Sequence, residues 1–543
     1  MKKKSKKTYK GVINIKKTPQ SEPIPFRNDM AKNNAGGFVF EAEKWAKLQR
    51  FLIIGSECGT YYVKEKELTK DNAKTVLHCI AEDGKRVVDT IVNVSIAGKA
   101  PKNDPTIFAL ALCASFSNIE TRKYAFKNLN KVCRTGTHFF KFLNIIEDFR
   151  GWGRSLQNAT ARWYTEKEPD NLALQVVKYR QREGWTHRDA LRKSKPGAKV
   201  IVPENINPIL KWVTKNEVEK NTPKLIRDFV KLQASKDKKE VIEIIKNNDA
   251  ITWEMIPTNF LTDKDVWNAM LPNIPMTALL RNLGRLTYLS VIHPLSESLN
   301  IVLKRLNDKE ATIKARIHPL SVLLAMNVYK TGKGMKGTLN WVPEGRILDA
   351  LNNMFYNAFD TVEPTGKRIL LALDVSGSMS SPDIANMPGI TPRVGSAAMA
   401  MVTAKTESNW HIIGFTNYNN NNFKGITPLE ITPNQRLDDV LKVIDDLPFA
   451  GTDCALPMLY ATENNIDVDA FIIYTDSETW AGNIHPVQAL KAYRKKTGIN
   501  AKLIVVGMVA NDFTIADPED PGMLDVVGFS TDTPQLISEF IKL

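Results

Sequence analysis

Residues 370–379 read LLALDVSGSM. An apolar run ends abruptly in one carboxylate and two hydroxyls, Asp374, Ser376 and Ser378, at alternate positions. An apolar segment without polar alternation reads as a strand buried on both faces. Similar segments return downstream as WHIIGFT (410–416), AFIIYTD (470–476) and AKLIVVGMV (501–509). Helical patterns separate them: VGSAAMAMVTAKT (394–406), RLDDVLKVIDDL (436–447) and VQALKAYRKK (487–496). Strands alternating with helices predict a doubly wound, Rossmann-like parallel sheet, whose ligands gather at the carboxyl ends of the strands.

DVSGS therefore lies at the binding edge of that sheet. AGTDCALPM (450–458) presents Thr452 and Asp453 in a loop before a helix, and FIIYTDSET (471–479) ends another strand at Asp476. Asp374, Ser376, Ser378, Thr452 and Asp476 are expected to converge as an oxygen-only site with few carboxylates and room for water. Such a donor set suits Mg2+ better than Ca2+ or zinc. Ser and Asp after a strand also cap helices and form turns, and that reading stays open for a DxSxS taken alone. The segment lacks the G-x-S-x-G elbow of a nucleophilic serine, and no P-loop is found, so no catalytic residue is expected.

Upstream, TVEPTGKR (361–368) marks a change of regime. From about residue 35 to 360, NAKTVLHCIAEDGKRVVDTIVNVS, DPTIFALALCASFS, TRKYAFKNLNKVC, THFFKFLNIIEDFR and MTALLRNLGRLTYLSVI repeat apolar residues at three- and four-residue intervals. Successive amphipathic helices predict stacked pairs that bury their apolar faces against one another, as a structural repeat without a sequence period. The expected organisation is a basic, disordered arm over 1–34, a helical domain over 35–363 and an α/β domain over 364–543.

The chain has 543 residues and a formal net charge of +15. Residues 364–543 hold 13 Lys+Arg against 21 Asp+Glu, whereas the other 363 residues hold 61 against 38. An excess of +23 on the helical part invites a phosphate backbone, because each bound cation releases condensed counterions. Five scattered cysteines (Cys58, Cys79, Cys113, Cys133, Cys454) without a CxxC pair point to free thiols in a reducing compartment, so a cytoplasmic location is expected. No apolar run reaches the ~18 residues that cross a bilayer, and no apolar core follows MKKKSKKTYKGVINIKK to make a secretory signal.

The densest basic segment is VVKYRQREGWTHRDALRKSKP (176–196). Gly184 is expected to end one helix, and Thr186 to cap the next with Asp189 as partner. Lys178 and Arg182 then share one face, and Arg188, Arg192 and Lys195 another, with Trp185 or His187 offering stacking surface. The competing reading is a solvated helix face beside a core tryptophan. EDFRGWGRSLQNATARWYTEK (147–167) adds Arg150, Arg154 and Arg162, and its Trp152 and Trp163 are expected to be packed rather than stacked on bases.

DxSxS with a later Thr and Asp resembles the metal-ion-dependent adhesion site of von Willebrand factor A domains. GSECGTYYVKE, KYRQREGWTHRDALR, MTALLRNLGRLT, KARIHPL, VEPTGKRILLALDVSGSM, GTDCALPM and FTIADPEDPGMLD extend the resemblance, from about residue 36 to about 530, to the Ro ribonucleoprotein autoantigen family built on the TROVE module. The lysine-rich arm and the loop SSPDIANMPGITPR fall outside it. The resemblance implies a monomeric toroid of degenerate HEAT-like helical repeats closed by the von Willebrand A domain. It implies Y RNA on the outer surface and single-stranded 3′ ends of misfolded RNAs in a central hole, in a protein of RNA quality control that is not an enzyme. Some bacterial members work with an exoribonuclease tethered through the Y RNA. It assigns RNA contacts to Lys178, Arg180, Arg182, His187, Arg188, Arg192 and Lys195, and outer-surface contacts to Arg150 and Arg154. Lys195 departs from the pattern: family members often carry histidine there, and lysine keeps the charge but loses the flat ring. A different class of function, recruitment of an acidic protein partner through the metal, would not require +23 on the helical half.

Overall fold

The computed structural model describes residues 17–55, 65–335, 338–359, 363–381, 383–384, 388–420, 423–432, 435–445, 447 and 450–543. The first 16 residues of the basic arm, the SECGTYYVK stretch with Cys58, and part of the 380–393 loop lie outside these. Cys79, Cys113, Cys133 and Cys454 are buried thiols, not joined in disulfides. Two compact units divide the chain. One comprises Phe51–Gly55 and Lys70–Asp360, the other the described parts of residues 1–50, 56–69 and 361–543.

In chain order the strands are β1 (Met30–Lys32) and β2 (Phe38–Glu41), then β3 (Gln181–Arg182) and β4 (Trp185–Thr186) within the helical run. The α/β region follows with β5 (Ile369–Asp374), β6 (Trp410–Asn420), β7 (Phe423–Pro428), β8 (Ala470–Thr475), β9 (Lys502–Gly507), β10 (Phe513–Thr514) and β11 (Met523–Val527).

The helical unit is built of paired helices, such as Asp104–Ser115 on Gly136–Phe149 and Pro319–Thr331 on Gly345–Asn357. Local capping explains several boundaries. Asn118 accepts from the backbone N–H groups of Glu120 (2.9 Å) and Thr121 (3.1 Å) at the start of Ile119–Lys127. The stretch NAKTVLHCIAEDGKRVVDTIVNVS lies in Glu65–Ala97 and is broken at Asp83, which leaves helical geometry (φ −148°, ψ 86°). Asp83 then accepts from the Arg86 N–H at 2.9 Å as a cap for the second half. Beside it, a Cβ on Gly84 would meet the Thr121 Oγ1 at 2.2 Å, so only glycine lets these helices approach. Near the other end of the unit, the His318 Nε2 lies 3.2 Å from the Lys99 carbonyl, 219 residues earlier. Segments more than 200 residues apart in sequence thus touch within this unit.

In the second unit the strand order is β11-β9-β8-β5-β6-β7, with every neighbouring pair parallel except β6 and β7. Every residue of β5 and β8 is buried, and both strands lack polar alternation up to their last residues, Asp374 and Thr475. The antiparallel edge strand β7, FKGITP, carries Lys, Gly and Pro, and so gave no strand signal.

The N-terminal expectation is corrected over its described part. Residues 17–34 are ordered on the α/β unit rather than a disordered arm, and the segment through Arg50 belongs to that unit. β2 pairs antiparallel with β1 and with β10, joining residue 41 to residue 513. Arg27 holds both oxygens of Asp517 at 2.7 Å. Arg50, 1% exposed, donates to both oxygens of Asp525 at 2.7 Å and to the carbonyls of Asn511 (3.0 Å) and Phe513 (2.7 Å). Apart from β1 with β2, none of these pairings leaves a local sequence signature, because the partners lie more than 450 residues away.

Candidate functional site

The carboxyl end of β5 delivers Asp374, Ser376 and Ser378, all buried. The Ser376 N–H donates to Asp374 Oδ1 at 2.9 Å, and the Ser376 and Ser378 hydroxyls stand 3.1 Å apart. Asp476, just past β8, is hydrogen-bonded by the Ser378 side chain and accepts the Glu478 N–H at 3.0 Å. The loop carrying Thr452 is knitted to both neighbours: Gly377 N–H donates to the Ala450 carbonyl (3.4 Å), and Trp480 N–H to the Thr452 carbonyl (3.1 Å). Thr475 was missed by the sequence reading. Its hydroxyl donates to Asp374 Oδ2 at 2.7 Å and fixes that carboxylate from the adjacent strand. Arg393, from the loop outside the family resemblance, donates to the Val375 carbonyl at 2.6 Å and so shapes the same turn.

Burial raises Asp374 above the ordinary carboxylate range against the hydrogen bonds from Ser376 and Thr475. Burial, then repulsion from Asp374 and Glu478, raises Asp476 well above that range. Two buried carboxylates that repel each other favour a cation between them. The Thr452 hydroxyl is fully buried and has no hydrogen-bond partner among the described residues. A buried hydroxyl of this kind calls for a partner atom, and a hard cation is one. Among the described residues, no group of three or more His, Cys, Asp or Glu is arranged to hold a metal, so a cation here would depend on the hydroxyls. The donor set fits a small divalent ion: three hydroxyls, two carboxylates and no soft ligand.

In the helical unit the basic segment is folded differently from the expectation. The helix Pro169–Lys178 ends at Lys178, and Arg182 stands on the two-residue strand β3, not on the same helix face. Gly184 (φ +74°) and Glu183 (φ +52°) make the tight turn between β3 and β4. Gly184 therefore serves a hairpin rather than a helix end. Thr186 does cap the next helix, His187–Ser194, and a reciprocal capping box with Asp189 is present.

Exposed cations project from this hairpin and helix: Arg180, Arg182, Arg188, Arg192 and Lys195. Lys178 is partly spent, with its side chain 14% exposed and its ammonium 3.6 Å from Glu254. Two expected aromatic surfaces are withdrawn. His187 is buried, its Nδ1 2.9 Å from the Tyr164 hydroxyl and its ring 4.6 Å from Phe140, so it is a core residue and not an RNA contact surface. Trp185 is buried against Trp152 at 5.7 Å, with the Lys193 ammonium 4.9 Å from its ring. That contact joins the two basic stretches, which are separate in sequence. Trp163 stacks on Phe139 at 4.2 Å, packed as expected. Arg154 is exposed at the start of its helix. Arg150 instead donates to the Ala114 carbonyl at 2.9 Å and closes the end of Asp104–Ser115.

Burial pushes the His187 imidazole down to about 3. The unfolded chain takes up that proton from about pH 6.5 downward, so it binds more protons than the folded chain between 6.5 and 3. Stability of the helical unit is therefore full above pH 6.5 and lost as pH falls. This group alone is expected to remove about 2 kcal/mol between pH 6.5 and 5. Denaturant unfolding of wild type and His187→Gln at both pH values checks it, since the variant should lose that part of the slope. Equal slopes would contradict a buried neutral imidazole.

Comparison with known proteins supplies the remaining observations. A family model described as the TROVE domain matches residues 31–328, and one described as the Ro60 vWA domain matches residues 368–541. The chain is 37% identical over 535 residues to the RNA-binding protein RO60 of Deinococcus radiodurans, covering 98% of each. It is 34% identical over 606 residues to the RNA-binding protein RO60 of Caenorhabditis elegans, covering 97% of this chain and 92% of that one. The crystal structure of the Deinococcus radiodurans Ro (RSR) protein superposes with a TM-score of 0.69 at 36% identity, over 92% of this chain and 99% of that one.

Proposed function

Since the chain belongs to the Ro60 family, with its TROVE domain followed by its vWA domain, we propose that it is an RNA-binding protein rather than an enzyme, acting on small noncoding RNAs. Y-type RNA binds the outer surface of the TROVE part, and single-stranded 3′ ends of misfolded or structured RNAs enter a central hole. The protein works as a monomer in cytoplasmic RNA quality control, and an exoribonuclease tethered through the Y RNA is a fitting partner. The observation that carries this reading is the near-full-length identity to a protein named for RNA binding. The charge distribution supports it, because the cationic excess lies outside residues 364–543. With Trp185 and His187 packed away, Arg180, Arg182, Arg188, Arg192 and Lys195 act chiefly on phosphates. Binding is then salt-sensitive and tolerant of sequence.

Purification at low salt tests the reading. The protein should carry nucleic acid, seen as an ultraviolet absorbance excess that RNase removes. A preparation free of nucleic acid that also fails to bind a tailed RNA would overturn it.

For the second unit we propose a Mg2+ site, with Ser376, Ser378 and Thr452 as hydroxyl donors and Asp374 and Asp476 binding directly or through water. When bound, the ion supplies a coordination position for an acidic group of a partner. The buried, unpartnered Thr452 hydroxyl favours the cation, and recruitment of a partner through it is compatible with RNA binding by the other unit.

A further inference from the structure

The N-terminal segment crosses the loops that carry the oxygen ligands. Gln20 is fully buried. Its amide donates to Asp453 Oδ1 at 2.7 Å and to the Ile484 carbonyl at 2.9 Å. Its carbonyl oxygen accepts from the Thr479 hydroxyl, which in turn accepts from the Cys454 N–H at 3.0 Å. One side chain thus ties the Thr452–Cys454 loop to the Asp476–Trp480 loop. Asn33 donates to the carbonyls of Ser477 (3.2 Å) and Thr479 (2.8 Å). Asn34 donates to Glu478 Oε1 at 2.7 Å, and the Ala35 N–H to Glu478 Oε2 at 3.1 Å. The segment presses so close that a Cβ on Gly37 would lie 2.0 Å from the Thr479 carbonyl oxygen.

We propose that residues 18–37 form a positioning strap for the divalent-ion site, with Gln20, Asn33 and Asn34 as its positioning residues, so that cation binding and strap docking are coupled. The inference rests on the reading of the oxygen cluster as a cation site.

Two physical features carry it. First, Asp453 and Glu478 are buried carboxylates beside Thr452 and Asp476, and the strap satisfies them with amides. Amides donate hydrogen bonds without bringing positive charge, so the strap occupies these acids without competing with a cation. Lysine or arginine in the same places would oppose the ion. Second, Ser477, between Asp476 and Glu478, sits in the left-handed region at φ +61°. A non-glycine residue holds that conformation only where its surroundings over-determine it. Asn33 supplies that constraint through the Ser477 carbonyl. The strap therefore holds the strained turn from which Asp476 reaches the site.

Coupling of this kind is reciprocal, because what the strap adds to cation affinity the cation adds to strap docking. The test uses full-length protein, the variants Gln20→Ala and Asn34→Ala, and calorimetric titration with MgCl2. Protease cleavage within residues 17–43 is followed with and without the ion. Gln20→Ala is expected to weaken Mg2+ binding about tenfold, and Asn34→Ala by less, since each removes hydrogen bonds to a buried carboxylate. In wild type, Mg2+ should slow cleavage of the strap, and in Gln20→Ala it should do so less. Asn34 is exposed, so its variant remains informative if Gln20→Ala folds poorly. Folded variants that bind Mg2+ as wild type does, with strap cleavage indifferent to the ion, would overturn the coupling and leave the cation site standing. A folded wild type that binds no Mg2+ would overturn the cation site itself, and the strap inference with it.

Discussion

Alanine at Arg182, Arg188 and Arg192 together is expected to weaken binding of an RNA with a single-stranded 3′ tail about a hundredfold at low salt. All three side chains are exposed, and none is held in an ion pair among those found in the structure, so the fold should be unaffected. Lys178 is left out because Glu254 already engages it and its side chain is mostly covered. If each lost cation neutralises one phosphate, the slope of log K against log[salt] should flatten by about 0.7 per contact, or about 2 in total. The loss should therefore shrink as salt rises. A structured RNA without a tail should be much less affected. Filter binding of both RNAs across a salt series checks this. Equal losses for both with an unchanged slope would mean that the hairpin and helix are a solvated surface and no more.

Asp374→Ala is expected to weaken Mg2+ binding about a hundredfold or more, the scale of losing one charged partner from a buried polar pair. The sheet should survive, because the carboxylate sits at the last residue of β5 and its hydrogen bonds run to the loop and to Thr475. Removing one of two repelling buried acids should also leave the ion-free unit no less stable. Thermal unfolding reads both effects. Millimolar Mg2+ should raise the midpoint of wild type by preferential binding to the folded state, and should not raise that of the variant. RNA affinity should be unchanged in the same variant, since the phosphate contacts come from the cationic half. Loss of RNA binding in a folded Asp374→Ala protein would instead favour a contact bridged by the metal.

The two regimes of the chain and the location of the oxygen cluster are legible from the residues in order. Strands buried on both faces are apolar along their length except at the ends, so β5, β8 and β9 are unmistakable, and ligands at their ends follow from topology. The Thr186–Asp189 capping box was equally legible, because both partners lie within one helical turn. Short motifs with local partners are what a sequence encodes openly.

Whatever depends on distant partners or on a single turn emerges only in the folded chain. Helical periodicity could not show that the chain turns back at Glu183–Gly184, since a two-residue hairpin is too short to impose its own period. His187 lies in an amphipathic segment as an exposed histidine could, and only Tyr164, Phe140 and Trp163 around it make it a core residue. The fate of residues 17–43 was the least legible, because a polar segment forms a stable strap only where another surface satisfies its backbone and amides. That surface is made by Asp453, Ser477, Glu478 and Thr479, more than 400 residues away, and comes into existence only when the sheet has folded.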